Sequence, residues 1–427
     1  MKRTLLFITL VCLSFGAFCQ TEPLNYRTAV NRFIHFYNQS LPDSIFNMFS
    51  AEVKTQIPAD KNRALITQLQ STLGNFQQAT FMTIDSGIAN YKADFAKAGL
   101  TMKLRLNASN QIAGLFFSPA QIKVTSAPAN DPLVTELPYS VKTLTTTING
   151  TLTMPKNANG KVPVVLIIAG SGPTDRNGNS PLGVSGNTYQ MLAYDLAKSG
   201  IASVRYDKQG IGQTQTTASE KNLRFENYVD DAVSLINPLH DDPRFSKVII
   251  FGHSEGSLIG ILAAYDEPVD ALISASGAGV MADKIVTDQL KTQPDWIQKK
   301  FKAILDTMRK GKINEDVDPQ LYSTIRPSIQ PYLMSWFRYD PAREIKKLKI
   351  PILILQGTND LQISTDNAEK LKKAKSDAQM VTITGMNHIL KQAPLTREGN
   401  MATYMDPNLP LDPMLVSTTV TFIKKLR

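Results

Sequence analysis

Gly252-His253-Ser254-Glu255-Gly256 reads G-x-S-x-G. It follows a β-branched run, Lys247-Val248-Ile249-Ile250-Phe251, and precedes a helix-like stretch, Ser257-Leu258-Ile259-Gly260-Ile261-Leu262-Ala263-Ala264. Strand, tight turn and helix form the setting in which this motif becomes a nucleophile elbow. The small residues Gly252 and Gly256 let the backbone fold sharply enough to lift the Ser254 hydroxyl out of the sheet. A helix starting at the serine also directs free backbone N–H groups at developing negative charge. The chemistry predicted is attack of Ser254 Oγ on an acyl carbonyl.

Such a serine needs a base, and the chain has four histidines: His35, His240, His253 and His388. His253 lies inside the elbow and is expected to point away from its neighbour's hydroxyl. The elbow resembles that of the α/β-hydrolases, whose triad runs Ser…Asp/Glu…His; His35 and His240 precede Ser254, so only His388 remains. It sits in Gly385-Met386-Asn387-His388, after the strand-like run Met380-Val381-Thr382-Ile383-Thr384. Nε2 would take the serine proton and return it to the leaving group. For the acid behind the imidazole, Asp360 fits best, because it ends a buried strand, Pro351-Ile352-Leu353-Ile354-Leu355, that runs into Gln356-Gly357-Thr358-Asn359. Asp366 falls where the next helix should begin and reads as a first-turn acid. Asp377 lies on the approach to the next strand, at the wrong end of the sheet.

The elements that must position these groups follow from the rest of the chain. Its 427 residues are enough for two domains. Residues 1–19 read as an export signal: Lys2 and Arg3 form a basic start, Leu5 through Phe18 is apolar and too short to span a membrane, and Ala17-Phe18-Cys19 resembles a cleavage site. The expected location is periplasmic or extracellular; acylation of Cys19 is the second reading, which Phe18 disfavours. Both cysteines, Cys12 and Cys19, lie in this segment, so the mature chain would carry neither a thiol nor a disulfide. No cysteine nucleophile, no metal site and no cofactor are expected. The formal charge of +9 falls by two to +7 without Lys2 and Arg3, and the scattered Lys and Arg residues read as a solvated surface with no nucleic-acid motif.

Residues 24–118 form a small α+β domain. Tyr26, Val30, Phe33, Phe36 and Tyr37 recur at helical spacing; Ile45–Phe49 and Leu65–Leu69 suggest two more helices. Four short strand-like runs follow, at 81–84, 91–95, 101–106 and 114–117, broken by turn signals. Residues 119–140, rich in proline and polar residues, read as a linker. Over 141–427, strands alternate with helices, which predicts a doubly wound, mostly parallel sheet of eight strands. Ile148-Asn149-Gly150 reads as a hairpin turn. About 75 residues separate the strands ending at Ser274 and starting at Ile350, far more than one crossover needs. Helical stripes there predict a lid, about 278–345, whose aromatics either line an acyl or aryl pocket or pack the lid onto the body.

The first domain resembles the NTF2-like (DUF3887-like) modules placed ahead of some secreted bacterial hydrolases. The second resembles the exported serine aminopeptidase-like (S33-type) and esterase branch of the α/β-hydrolases. The motifs that carry this are Ala169-Gly170-Ser171-Gly172-Pro173-Thr174-Asp175-Arg176-Asn177-Gly178, Val204-Arg205-Tyr206-Asp207-Lys208-Gln209-Gly210-Ile211-Gly212, the elbow, Gly357-Thr358-Asn359-Asp360 and Gly385-Met386-Asn387-His388. The resemblance implies an oxyanion hole made by the backbone N–H groups of Glu255 and of Ser171, with Gly172 the alternative to Ser171. Asp175 and Arg176 are expected to form a local salt bridge, with a charged substrate end as their other use.

The reading is a serine hydrolase acting on small-molecule carboxylic esters through Ser254, His388 and Asp360. The alternatives are an aminopeptidase or amidase, which would need an acid such as Glu315, Asp316 or Asp318 to hold a substrate amine, and a binding protein with an inert hydrolase domain. No transmembrane span is expected in the mature chain, and the sequence names no partner for the first domain.

Overall fold

The computed structural model describes residues 21–426 apart from 86, 97–98, 120–130, 144–145, 182, 217, 266 and 319–320. The export-signal expectation and both cysteines lie outside the described residues. The chain divides into two compact units, Met1–Gln121 and Ile122–Arg427.

In the first unit, helices Leu24–Asn38, Pro42–Met48, Ala51–Gln56 and Ala59–Leu73 precede an antiparallel sheet of β1 (Phe76–Asp85), β2 (Ile88–Phe95), β3 (Gly99–Leu106) and β4 (Ile112–Pro119), paired in that order. The helical spacing of Tyr26, Val30, Phe33 and Tyr37 buries one face of the first helix. On β2, alternation buries Ala89, Tyr91, Ala93 and Phe95 while their neighbours face outward. The two faces meet in an aromatic core: Phe76 stacks on Phe95 with centroids 4.2 Å apart, and Tyr37 and Phe117 meet that pair edge-on.

The second unit is built on β5 (Val134–Lys142), β6 (Thr147–Pro155), β7 (Val162–Ile168), β8 (Ala202–Tyr206), β9 (Phe245–His253), β10 (Ala271–Ala275), β11 (Ile352–Gly357) and β12 (Gln379–Ile383). The sheet order is β12-β11-β10-β9-β7-β8-β6-β5, with β6 antiparallel to both neighbours and β12 through β8 parallel. The parallel strands are apolar on both sides because both faces are covered. On β9, Val248 and Ile250 join one core with helices Phe225–Asp241 and Glu255–Ala263, whereas Ile249 and Phe251 join the opposite core with helices Thr188–Lys198 and Pro413–Lys424.

Two expectations need correction. The linker does not extend to residue 140, because β5 already pairs with β6 from Val134 onward. Asn149-Gly150 is not a turn but lies inside β6; the chain reverses earlier, where the Thr143 N–H meets the Thr146 carbonyl at 2.8 Å. Gly150 serves close packing instead: a Cβ there would stand 2.6 Å from the Arg205 carbonyl oxygen on β8. The insertion between β10 and β11 was open to two readings. It carries helices Ala282–Gln289, Asp295–Met308, Tyr322–Ile325, Gln330–Trp336 and Pro341–Ile345, and its Tyr332 and Trp336 pack onto the body. Trp336 stacks on Phe225 at 5.9 Å with the rings 7° from parallel, and the Ser335 hydroxyl accepts the Phe225 N–H at 2.8 Å.

Candidate active site

Loops at the carboxyl ends of β7, β9, β11 and β12 bring Ser171, Ser254, Asp360 and His388 together. The serine adopts φ 55° and ψ −120°, a conformation that a non-glycine residue holds only when its surroundings enforce it. Its flanking glycines are required by space. A Cβ on Gly252 would lie 2.3 Å from the Gly256 carbonyl oxygen, and one on Gly256 would lie 2.3 Å from that of Ile168. The helix Glu255–Ala263 starts immediately after the serine.

Ser254 Oγ lies 3.1 Å from His388 Nε2. On the other side of the ring, Nδ1 is 2.9 and 3.1 Å from the two Asp360 oxygens. The Asp360 side chain is fully buried, and His388 is 6% exposed. Burial pushes the Asp360 carboxyl up. The charge of His388, its hydrogen bond and the N–H groups of Ile363 and Gln362 outweigh this and hold it below the ordinary carboxylate value. Asp366 stands in the first turn of helix Thr365–Ala374, and Asp377 pairs with Lys375 at the surface. Of the three acids, the fold brings Asp360 alone to His388.

His253 points away from Ser254 Oγ, into a hydrogen-bonded chain that the sequence does not disclose. Its Nε2 meets the His388 carbonyl at 2.7 Å and its Nδ1 meets the Tyr189 hydroxyl at 2.8 Å. The same hydroxyl accepts the Gly170 N–H at 3.0 Å. Burial, then the neighbouring His388, pushes His253 down to about 3, so the ring is neutral. With Nε2–H donating to the carbonyl, Nδ1 must accept from Tyr189. The Gly170 N–H is thereby occupied. Among the described residues, no acceptor takes the N–H of Ser171 or of Glu255.

A cavity of about 170 Å³ adjoins Ser254 and His388. Ser171 lines it with Thr174, Ser180, Val184, Gln362, Ile389 and Tyr404, and no described residue of the lid does. Gly172 is not in the lining. Among the described residues the lining holds no carboxylate; Asp318, one of the acids considered for an amine, pairs instead with Lys300 at 2.6 Å.

The comparisons with known proteins divide the chain as the fold does. Residues 182–335 match the family described as Serine aminopeptidase, S33, and residues 30–115 match Protein of unknown function (DUF3887). Esterase EstD of Thermotoga maritima is 24% identical over 390 residues, covering 88% of this chain and 89% of that protein. These matches support a hydrolase with the α/β-hydrolase fold. Solved relatives include Est1E of Butyrivibrio proteoclasticus with ferulic acid bound (19% identity, TM-score 0.48, covering 67% of this chain and 96% of that one). Proline iminopeptidase of Mycobacterium smegmatis is another (13% identity, TM-score 0.46, covering 68% and 98%).

Arg176 is a structural residue. Its guanidinium pairs with Asp207 at 2.6 Å and reaches the Gly150 carbonyl at 2.8 Å, tying the loop after β7 to β6 and β8. Two buried groups near the elbow escaped sequence reasoning altogether. Lys208 lies 2.9 Å from Glu255 Oε2, and the Tyr332 hydroxyl, from the lid, donates to Glu255 Oε1. Lys208 is visible within the loop motif after β8, but nothing in its spacing announces a partner 47 positions away. No helix among the described residues is long and apolar enough to cross a membrane.

Proposed function

We propose that this hydrolase cleaves carboxylic esters of small acyl groups through a Ser254 acyl-enzyme. The observation that carries the reading is Ser254 Oγ, His388 and Asp360 in hydrogen-bonded series beside a small cavity whose described lining holds no carboxylate. Similarity to the Thermotoga esterase supports the same class. His388 Nε2 takes the Ser254 proton as Oγ adds to the carbonyl carbon, and Asp360 stabilises the imidazolium. The N–H groups of Ser171 and Glu255 receive the oxyanion. His388 then protonates the leaving alcohol, and water, activated by the same imidazole, releases the acid. A neutral lining suits an ester, whereas an aminopeptidase needs a negative group for the substrate ammonium. The basic start at Lys2-Arg3 and the apolar run behind it support export of the chain before it acts.

The test compares mature wild-type and Ser254→Ala protein on p-nitrophenyl esters of increasing chain length beside an aminoacyl p-nitroanilide. Serine-dependent turnover strongest on the shortest esters, with little anilide cleavage, is expected. Anilide cleavage that requires the free amine would replace this reading with an aminopeptidase.

A further inference from the structure

We propose that Lys208 is the positioning residue of the oxyanion hole and orients both of its backbone donors from a single ammonium group. The proposal rests on the reading of Ser254, His388 and Asp360 given above. Lys208 follows β8, and its side chain is 4% exposed. Its Nζ donates to the Gly170 carbonyl at 3.0 Å and to Glu255 Oε2 at 2.9 Å, and stands 4.2 Å from the centre of the Tyr228 ring. An ammonium so buried persists only when its charge and donors are matched, and here two acceptors and a π face do so.

Which two acceptors these are gives the arrangement its meaning. The Gly170 carbonyl and the Ser171 N–H belong to one planar trans peptide and point in opposite directions. Holding the carbonyl on Lys208 therefore turns the Ser171 N–H the other way, and Ser171 lines the cavity at Ser254. The preceding peptide is fixed as well, because the Gly170 N–H is held by Tyr189. A carbonyl that accepts from a cation also polarises its own peptide and strengthens the N–H as a donor. The second acceptor, Glu255, is the first residue of the elbow helix and carries the other free N–H. Its carboxylate is fully buried and fastened by Lys208 and by the Tyr332 hydroxyl of the lid. Both donors are thus referenced to one point, which sets the gap between them where an oxyanion forms.

The test uses the full chain with Lys208→Met and Glu255→Gln combined, which removes both buried charges together at similar side-chain length. kcat and KM are read on p-nitrophenyl acetate, beside the inhibition constant of an aryl trifluoromethyl ketone, whose serine adduct carries the oxyanion. In folded protein, kcat and affinity for the ketone are expected to fall together by about tenfold or more, with KM changed by about twofold or less. Lys208→Arg keeps a cation against Glu255 should the double variant fail to fold. Its fork cannot occupy the same point, so it should show the same signature in smaller measure. Wild-type kcat and ketone affinity in whichever variant folds, with only the melting temperature moved, would overturn the positioning role. Ser254→Ala measured alongside separates the two claims. An active Ser254→Ala sinks the triad reading itself, whereas an inactive one beside fully active Lys208 variants sinks the Lys208 role alone.

Discussion

The two units of this chain solve the problem of a buried core in opposite ways. The first is filled by aromatic rings, and among its described residues the buried polar side chains are Ser50 and Asn62. Both are spent on local backbone: Ser50 caps a helix through the Val53 N–H, and Asn62 donates to the Pro42 carbonyl. The second unit buries Lys208, His253, Glu255 and His388 outright, together with the carboxylate of Asp360, all at one end of its sheet. Burying a charge is costly unless it is paired, and each of these groups has a partner. The contrast teaches where chemistry is to be sought. Aromatic packing needs no function to explain it, whereas a connected set of buried titratable groups around a strained serine does.

Substitutions should separate the two regions, and the largest effects belong to the second. Ser254→Ala is expected to lower kcat/KM on p-nitrophenyl acetate by about 10⁶-fold, with an unchanged melting curve. Asp360→Asn should cost about 10⁴-fold, because the imidazole loses its orienting charge. Asp366→Asn should match wild type; a crippled Asp366→Asn beside an active Asp360→Asn would reassign the acid. In the first unit the effect should move from rate to stability. Phe76→Ala removes the ring at the centre of the aromatic pile and should cost about 3–5 kcal/mol in denaturant unfolding of that unit. Ester turnover should be unaltered, and a loss of kcat in folded Phe76→Ala would give the first unit a part in the reaction.

The smallest effect concerns pH. The folded value of His253 is about 3, well under the ordinary 6.5. Between these values the unfolded chain binds the extra proton, so this contribution to stability is present above pH 6.5 and is lost as the pH falls toward 3. Asp231 has the opposite sign. Burial raises it to about 6, so its contribution is present below its unfolded value of 3.8 and is lost as the pH rises through 6. The two offset each other between about pH 4 and 6, so the wild-type profile alone does not report on His253. The measurement is therefore the stability gap between wild type and His253→Gln. It should narrow on acidification below pH 6.5 by at most about 1.4 kcal/mol per pH unit. A gap that stays constant from pH 7 to 4 would show that His253 is not held neutral.

Much of the candidate site was legible because Ser254, Asp360 and His388 each follow an apolar strand. The runs before Ser254, Asp360 and His388 mark β9, β11 and β12, and strand ends in a parallel sheet share one edge. Three helices and the four strands of the first unit were legible from periodicity for the same local reason, whereas the short helix Ala51–Gln56 was not. What stayed hidden depends on contacts across the sequence. Asn149-Gly150 carries a turn signal, but β8 lies against it and the backbone approach decides its use. The linker was drawn too long because a proline-containing edge strand such as β5 resembles a loop in composition. The lid aromatics could not be assigned to pocket or body, because that choice depends on where the Phe225 helix lies. Lys208 and Glu255 are adjacent only once β8 and β9 have taken their places on either side of β7.

The most direct test of the central claim is covalent labelling of mature wild-type protein with a fluorophosphonate, read by intact mass and peptide mapping. One adduct per chain on the peptide holding Ser254, lost in Ser254→Ala and strongly slowed in His388→Ala, is the result predicted. Ester turnover without an adduct at Ser254, or an adduct on another residue that abolishes turnover, would contradict it.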